Sequence, residues 1–117
     1  MDHASITNWL RTRPGAVGER PFGPDVQVFK VGGRMFASTH ENGDTVNLKC
    51  DPTWARALRS DHPAVTPGYH MNKLHWNTIR LDGSLPSDLV LQMLEHSYTL
   101  VVDSLPRAQR ESLRSSS

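Results

Sequence analysis

Residues 26–50 read VQVFKVGGRMFASTHENGDTVNLKC, and this stretch decides the fold. β-favouring residues alternate over 26–31 and stop at Gly32-Gly33, where glycine tolerates the positive φ of a tight hairpin. A second strand is expected over 34–40, followed by a turn at 41–44. The segment Thr45–Cys50 then places Val46, Leu48 and Cys50 on one face. The stretch therefore predicts three antiparallel strands in a meander.

Before the meander, the spacing of Ile6, Trp9 and Leu10 predicts a helix over Ser5–Arg13, with Ser5 or Thr7 as its cap. Pro14-Gly15 ends this helix, and a loop rich in glycine and proline is expected to lead into the sheet.

After the meander, Asp51-Pro52 has the pattern of an N-cap followed by proline at the first helical position. A helix is expected from Pro52 to about Ser60, with its apolar side toward the sheet and two arginines outward. The inward residues are Trp54, Ala57 and Leu58, and the outward ones are Arg56 and Arg59.

The C-terminal half begins with a stretch over 61–69 that is expected to be irregular, followed by a strand over Asn77–Leu81. The longest helix is expected from about Pro86 to Leu105. A short helix then ends near Leu113, and residues 114–117 are expected to fray. The element order is helix, three strands, helix, one or two strands, then helix. It predicts an α+β fold in two layers, with helices packed on one face of an antiparallel sheet. All 117 residues form a single domain, with its core over about 5–113.

Composition restricts the class of protein. The 13 Lys and Arg against 12 Asp and Glu give a net charge of +1, which is far from the basic balance of most nonspecific nucleic-acid binders. The single cysteine excludes an internal disulfide and favours a reducing, cytoplasmic location. No apolar run approaches the length of a membrane span, and residues 1–10 do not resemble a secretory signal.

A long motif covers residues 62–86 and reads HPAVTPGYHMNKLHWNTIRLDGSLP. Together with Pro21–Asp25 and Val46–Pro52, it resembles the MmcQ/YjbR family over roughly residues 5–113. The resemblance implies a CyaY-like, double-wing α/β fold and a DNA-binding role in the bacterial cytoplasm. Frataxin-type relatives of this fold carry iron on an acidic first helix. The first helix here has two arginines and no carboxylate, so iron binding is not expected.

The segment Lys49–Arg80 holds five Lys and Arg against two acids, and phosphate contacts need such cations together with hydrogen-bond donors. Trp76 is a candidate for stacking on a base. The alternative is structural: Trp76 and Tyr69 lie in the core, the loop histidines satisfy backbone groups, and Lys73 is solvated. The full set of candidate DNA contacts is Lys73, Arg80, His75, Asn72, Tyr69, His70, Trp76, Arg56 and Arg59.

Other chemistry has little support in the sequence. His70 and His75 are five residues apart with no partner motif, so no metal or other cofactor is expected. Cys50 ends the apolar face of a strand and is expected to be a buried hydrophobe rather than a nucleophile. No nucleophile, base and orienting group can be assembled, so an enzyme is not expected.

Three functions remain open at this stage. DNA binding by a monomer is the first, with Lys73, Arg80, Arg56 and Arg59 on phosphates. A protein-interaction or chaperone-like module is the second, because near-neutral charge suits a protein partner. The third is a small-ligand pocket formed by Tyr69, His70, Asn72 and Trp76.

Overall fold

The predicted meander lies inside a larger sheet. The computed structural model describes residues 1–116, and side chains as far as Arg114. Six antiparallel strands stand in the order β1-β2-β3-β4-β6-β5. The elements in chain order are α1 His3–Arg11, β1 Ala16–Glu19, β2 Val26–Val31, β3 Arg34–His40, β4 Thr45–Lys49, α2 Pro52–Asp61, β5 Val65–Pro67, β6 Trp76–Arg80, α3 Ser87–Ser104 and α4 Arg107–Ser116.

The helices cover one face of the sheet, which we call the core face. Side chains from β2, β3, β4, β5 and β6 that point to this face join residues of α1, α2 and α3 in one buried apolar cluster. Phe29, Val46, Leu48 and Ile79 are each at most 1% exposed. The register pairs Val46 with Ile79, which places both on the same side. The predicted α+β class, with helices on one face of an antiparallel sheet, is confirmed.

The opposite side, here called the open face, carries the alternate residues of the same strands. Ser38 pairs with Asn47, and Asn47 pairs with Thr78, so these polar side chains form a row across three strands. No helix packs over this row in the part of the chain that the structure describes. A ligand that contacts these polar side chains can therefore approach the sheet from the open face.

Two strands lie in segments to which the sequence assigns a loop or irregular structure. β1 lies inside the predicted loop, and β5 lies inside the stretch predicted to be irregular. Each has only three or four residues, and each forms an edge of the sheet. Their pairing with β2 and β6 holds them in place, because strands this short have too little alternation to be recognised alone.

The predicted helices are correct in number, and their details need three corrections. α1 begins at His3, because the Asp2 side chain caps it by accepting from the Ser5 N–H at 2.8 Å. In α2 the buried residues are Ala55 and Leu58, while Ala57 is exposed. α4 extends to Ser116, past its predicted end near Leu113, and Ser117 of the segment predicted to fray lies outside the described residues.

The joint between α2 and α3 depends on His96. Its Nε2 accepts a hydrogen bond from the Asp51 N–H at 3.0 Å, and its ring meets Trp54 edge-on with centroids 4.8 Å apart. The Asp51 side chain caps α2 through the N–H groups of Thr53 and Trp54, as predicted. Burial lowers the pKa of His96 below 6.5, against the opposing effect of the Asp51 carboxylate. The neutral imidazole is thus the form that fits this joint.

Candidate binding groove on the open face

The loop 68–75 folds back onto the open face of the sheet. The Gly68 N–H donates to Trp76 O at 2.9 Å, and the Tyr69 N–H donates to Thr78 Oγ1 at 3.0 Å. A Cβ on Gly68 would lie 2.8 Å from the Cβ of Trp76, which is closer than any real contact. Glycine at position 68 thus allows the backbone to lie directly against β6.

Arg59 holds the other end of this loop. Its Nε donates to Asn77 Oδ1 at 2.7 Å, and its Nη2 donates to the backbone oxygens of Lys73 and Trp76. The prediction that Arg59 points outward is wrong, because a guanidinium with several donors can connect a buried amide to a loop backbone. Arg59 is therefore engaged inside the protein and is not free for phosphate.

Trp76 is only 8% exposed, although it lies on the open face. Gly68, at the start of the loop 68–75, lies against the Cβ and the backbone oxygen of Trp76. This burial leaves little of the ring for stacking on a base, and it supports the structural alternative for Trp76. Tyr69 is the opposite case. Its side chain is 70% exposed, so the interpretation of Tyr69 as a core aromatic is wrong.

Tyr69 and His70 form a wall that stands above the sheet. Their ring centroids are 4.0 Å apart with the planes inclined by 52°, and both residues are exposed. His70 has φ +59°, a left-handed conformation that costs energy for a residue with a Cβ. Such strained positions cluster at functional sites, where the surrounding structure holds them.

A groove of about 470 Å³ lies between this wall and the sheet. This volume is in the range of small-molecule sites. Tyr69 and His70 of the predicted small-ligand pocket line the groove, whereas Asn72 and Trp76 do not. The sheet supplies the other lining residues, which are Val26, Ser38, Thr39, His40, Thr45, Asn47 and Thr78. Alternation of apolar and polar residues along β3, β4 and β6 predicts a sheet face without a covering layer. The loop residues that form one side of the groove can be identified only from the fold.

Hydrogen bonds fix the floor of the groove. Asn47 Nδ2 donates to Ser38 Oγ at 3.0 Å, and Thr78 Oγ1 donates to Asn47 Oδ1 at 2.5 Å. Thr78 Oγ1 also accepts the N–H of Tyr69, so the same row of side chains anchors the wall. The floor and the wall consequently belong to one hydrogen-bonded network rather than to two independent parts.

The predicted cations do not form one basic patch. Arg56 and Arg59 belong to α2 on the core side of the sheet, whereas Arg80 is on the open face and lies 3.6 Å from Asp82. Arg80 pairs with Thr45, and Lys49 pairs with Trp76, so the two cations are about 13 Å apart along the strands. Lys73 is exposed, and its Nζ donates to Gly68 O at 3.0 Å.

Asn72 and His75 form hydrogen bonds that stabilise the loop 68–75. Asn72 Oδ1 accepts the Leu74 N–H at 2.9 Å, and Asn72 O accepts the N–H of His75. His75 is half-buried, and its carbonyl oxygen accepts the Cys50 N–H at 2.8 Å. These contacts support the interpretation in which this end of the loop is structural.

Cys50 is 5% exposed and lies in the core cluster, which confirms that it is a buried hydrophobe. Burial, with the neighbouring Asp51 carboxylate, raises the pKa of its thiol to about 11.

Among the described residues, no three His, Cys, Asp or Glu side chains come together as metal ligands do. No helix within residues 1–116 is long and apolar enough to cross a membrane.

The fold and the groove define a small α+β domain that presents a polar cleft on the open face of an antiparallel sheet. A family model described as YjbR matches residues 11–100, and the chain belongs to the YjbR family. It is 34% identical over 115 residues to the uncharacterized protein YjbR of Escherichia coli strain K12, covering 97% of this chain and 98% of that one. The uncharacterized protein YbdF of Escherichia coli O157:H7 is 35% identical over 96 residues, which cover 80% and 79% of the two chains.

Two solved structures share the fold. The crystal structure of Deinococcus radiodurans protein DR2400, with the domain DUF419, superposes with a TM-score of 0.88 at 35% identity. That superposition covers 97% of this chain and 88% of the other. A Pseudomonas syringae protein superposes with a TM-score of 0.74 over 86% of this chain and 99% of its own, and its 24% identity supports the fold alone.

Proposed function

We propose that this protein binds single-stranded DNA in the groove of the open face, without catalysis. The observation that carries the proposal is the exposed Tyr69–His70 wall beside a floor of hydrogen-bonding side chains. Aromatic side chains on an open surface are platforms on which unpaired bases stack, at about 1–3 kcal/mol per base. The family resemblance seen in the sequence favours DNA as the nucleic acid.

The charge distribution favours a single strand over a duplex. Three of the basic side chains of the sheet and its loops are paired with acids, in the bridges Lys30–Glu19, Arg20–Glu41 and Arg80–Asp82. Duplex binding depends heavily on phosphate neutralisation, which needs many unpaired cations. Lys49 and Lys73 are the cations best placed beside the loop 68–75. Most of the binding energy must then come from stacking and hydrogen bonds, and these require exposed bases.

The test is fluorescence anisotropy of labelled single-stranded and duplex oligonucleotides over a salt series. We expect single-strand binding with a shallow salt slope of about −1.5 or less steep, corresponding to one or two phosphates. Tyr69→Ala should weaken this binding by about 5- to 100-fold, because it removes one stacking platform.

Phe22→Ala is the matched control, because Phe22 is also an exposed aromatic, at 80%, and does not line the groove. It should bind like the wild type. Equal loss in both variants, or duplex binding as tight as single-strand binding, would contradict the proposal. If no DNA binds at low salt, the protein-interaction alternative is favoured, and Phe22 is the first apolar contact to test.

A further inference from the structure

We infer, on the basis of the proposed function, that the groove receives a pyrimidine base, of which thymine fits best, through its carbonyl edge. Among the groove-lining residues there is no Asp, Glu, Lys or Arg. A phosphate in the groove would therefore be desolvated without a Lys or Arg to compensate its charge, which is unfavourable. An uncharged part of the nucleotide suits this lining, and the base is the uncharged part that can also stack.

Hydroxyl and amide hydrogens at the floor that are not used within the protein indicate which ligand groups could accept from them. Ser38 Oγ accepts from Asn47, so its own hydrogen is available, and Asn47 Nδ2 has a second hydrogen beyond the one given to Ser38. Thr45 Oγ1 has no hydrogen-bond partner among the described residues, and its hydrogen is available as well. All three groups line the groove.

His40 adds a fourth donor at the end of β3. Its Nδ1 accepts the N–H of Asn42 at 3.2 Å, so the neutral ring carries its hydrogen on Nε2. His40 is exposed and lines the groove. The acceptor Asn47 Oδ1 is already used by Thr78, so donors outnumber free amide or carbonyl acceptors at the floor.

A floor rich in donors and without Lys, Arg, Asp or Glu is complementary to carbonyl oxygens. Thymine presents two carbonyl acceptors on either side of one ring N–H and has no amino group, whereas adenine presents an amino donor beside its ring nitrogens. The Ser38 and Thr45 hydroxyls can also accept, but an amino group facing the Asn47 Nδ2 or His40 Nε2 hydrogens would leave polar hydrogens unpaired, which costs more than a missing contact. Thymine is therefore expected to be preferred over adenine when either base stacks against Tyr69 and His70.

The experiment compares labelled strands of equal length made of thymine, adenine or abasic nucleotides. Two hydrogen bonds to thymine predict a preference over adenine of about 5- to 100-fold. The abasic strand should bind at least as weakly as adenine. Thr45→Val and Ser38→Ala each remove one hydroxyl donor, and each should reduce the thymine-to-adenine ratio several-fold. Thr99→Val is the matched control, since Thr99 is exposed on α3 at the other side of the sheet.

The outcomes separate this inference from the proposed function. Equal binding of thymine and adenine strands, or tight binding of the abasic strand, would overturn the base preference and leave DNA binding intact. A thymine preference that survives in both hydroxyl variants would arise from strand flexibility, and would also overturn it. Binding to none of the strands would refute the proposed function itself.

Discussion

At the scale of single residues, Arg59 shows how far a side chain's role can differ from its sequence pattern. Arg56 is an arginine on the same helix, close to Arg59 in sequence. Only Arg59 donates hydrogen bonds to Asn77 and to the loop backbone. Asn77 is 1% exposed, so its amide oxygen depends on this donor. Helical spacing could not predict this, because the acceptors come from a loop and a strand formed later in the chain.

Arg59→Ala should lower the free energy of unfolding by about 1–3 kcal/mol, because it leaves a buried acceptor without its donor. Urea unfolding followed by circular dichroism measures the change. Arg56→Ala, an exposed neighbour, should stay within about 0.5 kcal/mol of the wild type. Similar losses in the two variants would mean that the Arg59 contacts contribute nothing specific.

At the scale of elements, the packing of α2 on α3 should depend on pH through His96. The pKa of His96 is lowered in the folded protein, so the unfolded chain takes up the proton first as the pH falls. The stabilising contribution is therefore fully present above the ordinary pKa of 6.5 and is lost as the pH falls below it. The cause is burial of the ring and the loss of Nε2 as an acceptor for Asp51.

His96→Gln tests this dependence, because the amide oxygen can accept the same N–H and does not titrate. We expect the urea midpoint of the wild type to fall more between pH 7.5 and pH 5 than that of His96→Gln. The other five of the six histidines are present in both proteins and cancel in the comparison. Parallel pH profiles would show that the imidazole at this joint is not a source of acid sensitivity.

Elements also show where sequence reasoning succeeds. The meander and α2 carry strong local signals, namely glycine turns, alternation and an Asp-Pro cap, and all of these are confirmed. β1 and β5 have no such signals and depend on neighbouring strands. The candidate site divides in the same way. The motif 62–86 contains the wall residues Tyr69 and His70 together with Thr78 of the floor, but the rest of the floor comes from β2, β3 and β4, which the motif does not include.

At the scale of the whole molecule, one apolar cluster joins the sheet to α1, α2 and α3. A single core of this kind should unfold cooperatively. The three tryptophans report on different regions, with Trp9 in α1, Trp54 in α2 and Trp76 in β6. Tryptophan fluorescence and far-ultraviolet circular dichroism should therefore give superimposable urea transitions. Separate midpoints would show that part of the chain folds independently of this core.

The β5 edge also determines how the sheet can meet another strand. Arg80 N–H donates to Ala64 O, and Gly68 N–H donates to Trp76 O, so alternation turns the nitrogens of Val65 and Pro67 to the outside. The Val65 N–H is already donated to His62 O, and proline has no N–H. This border offers carbonyl acceptors without donors. A strand added at this edge could donate to the carbonyl oxygens but would receive no N–H hydrogen bonds in return. The edge is therefore protected against growth of the sheet into fibrils from this side.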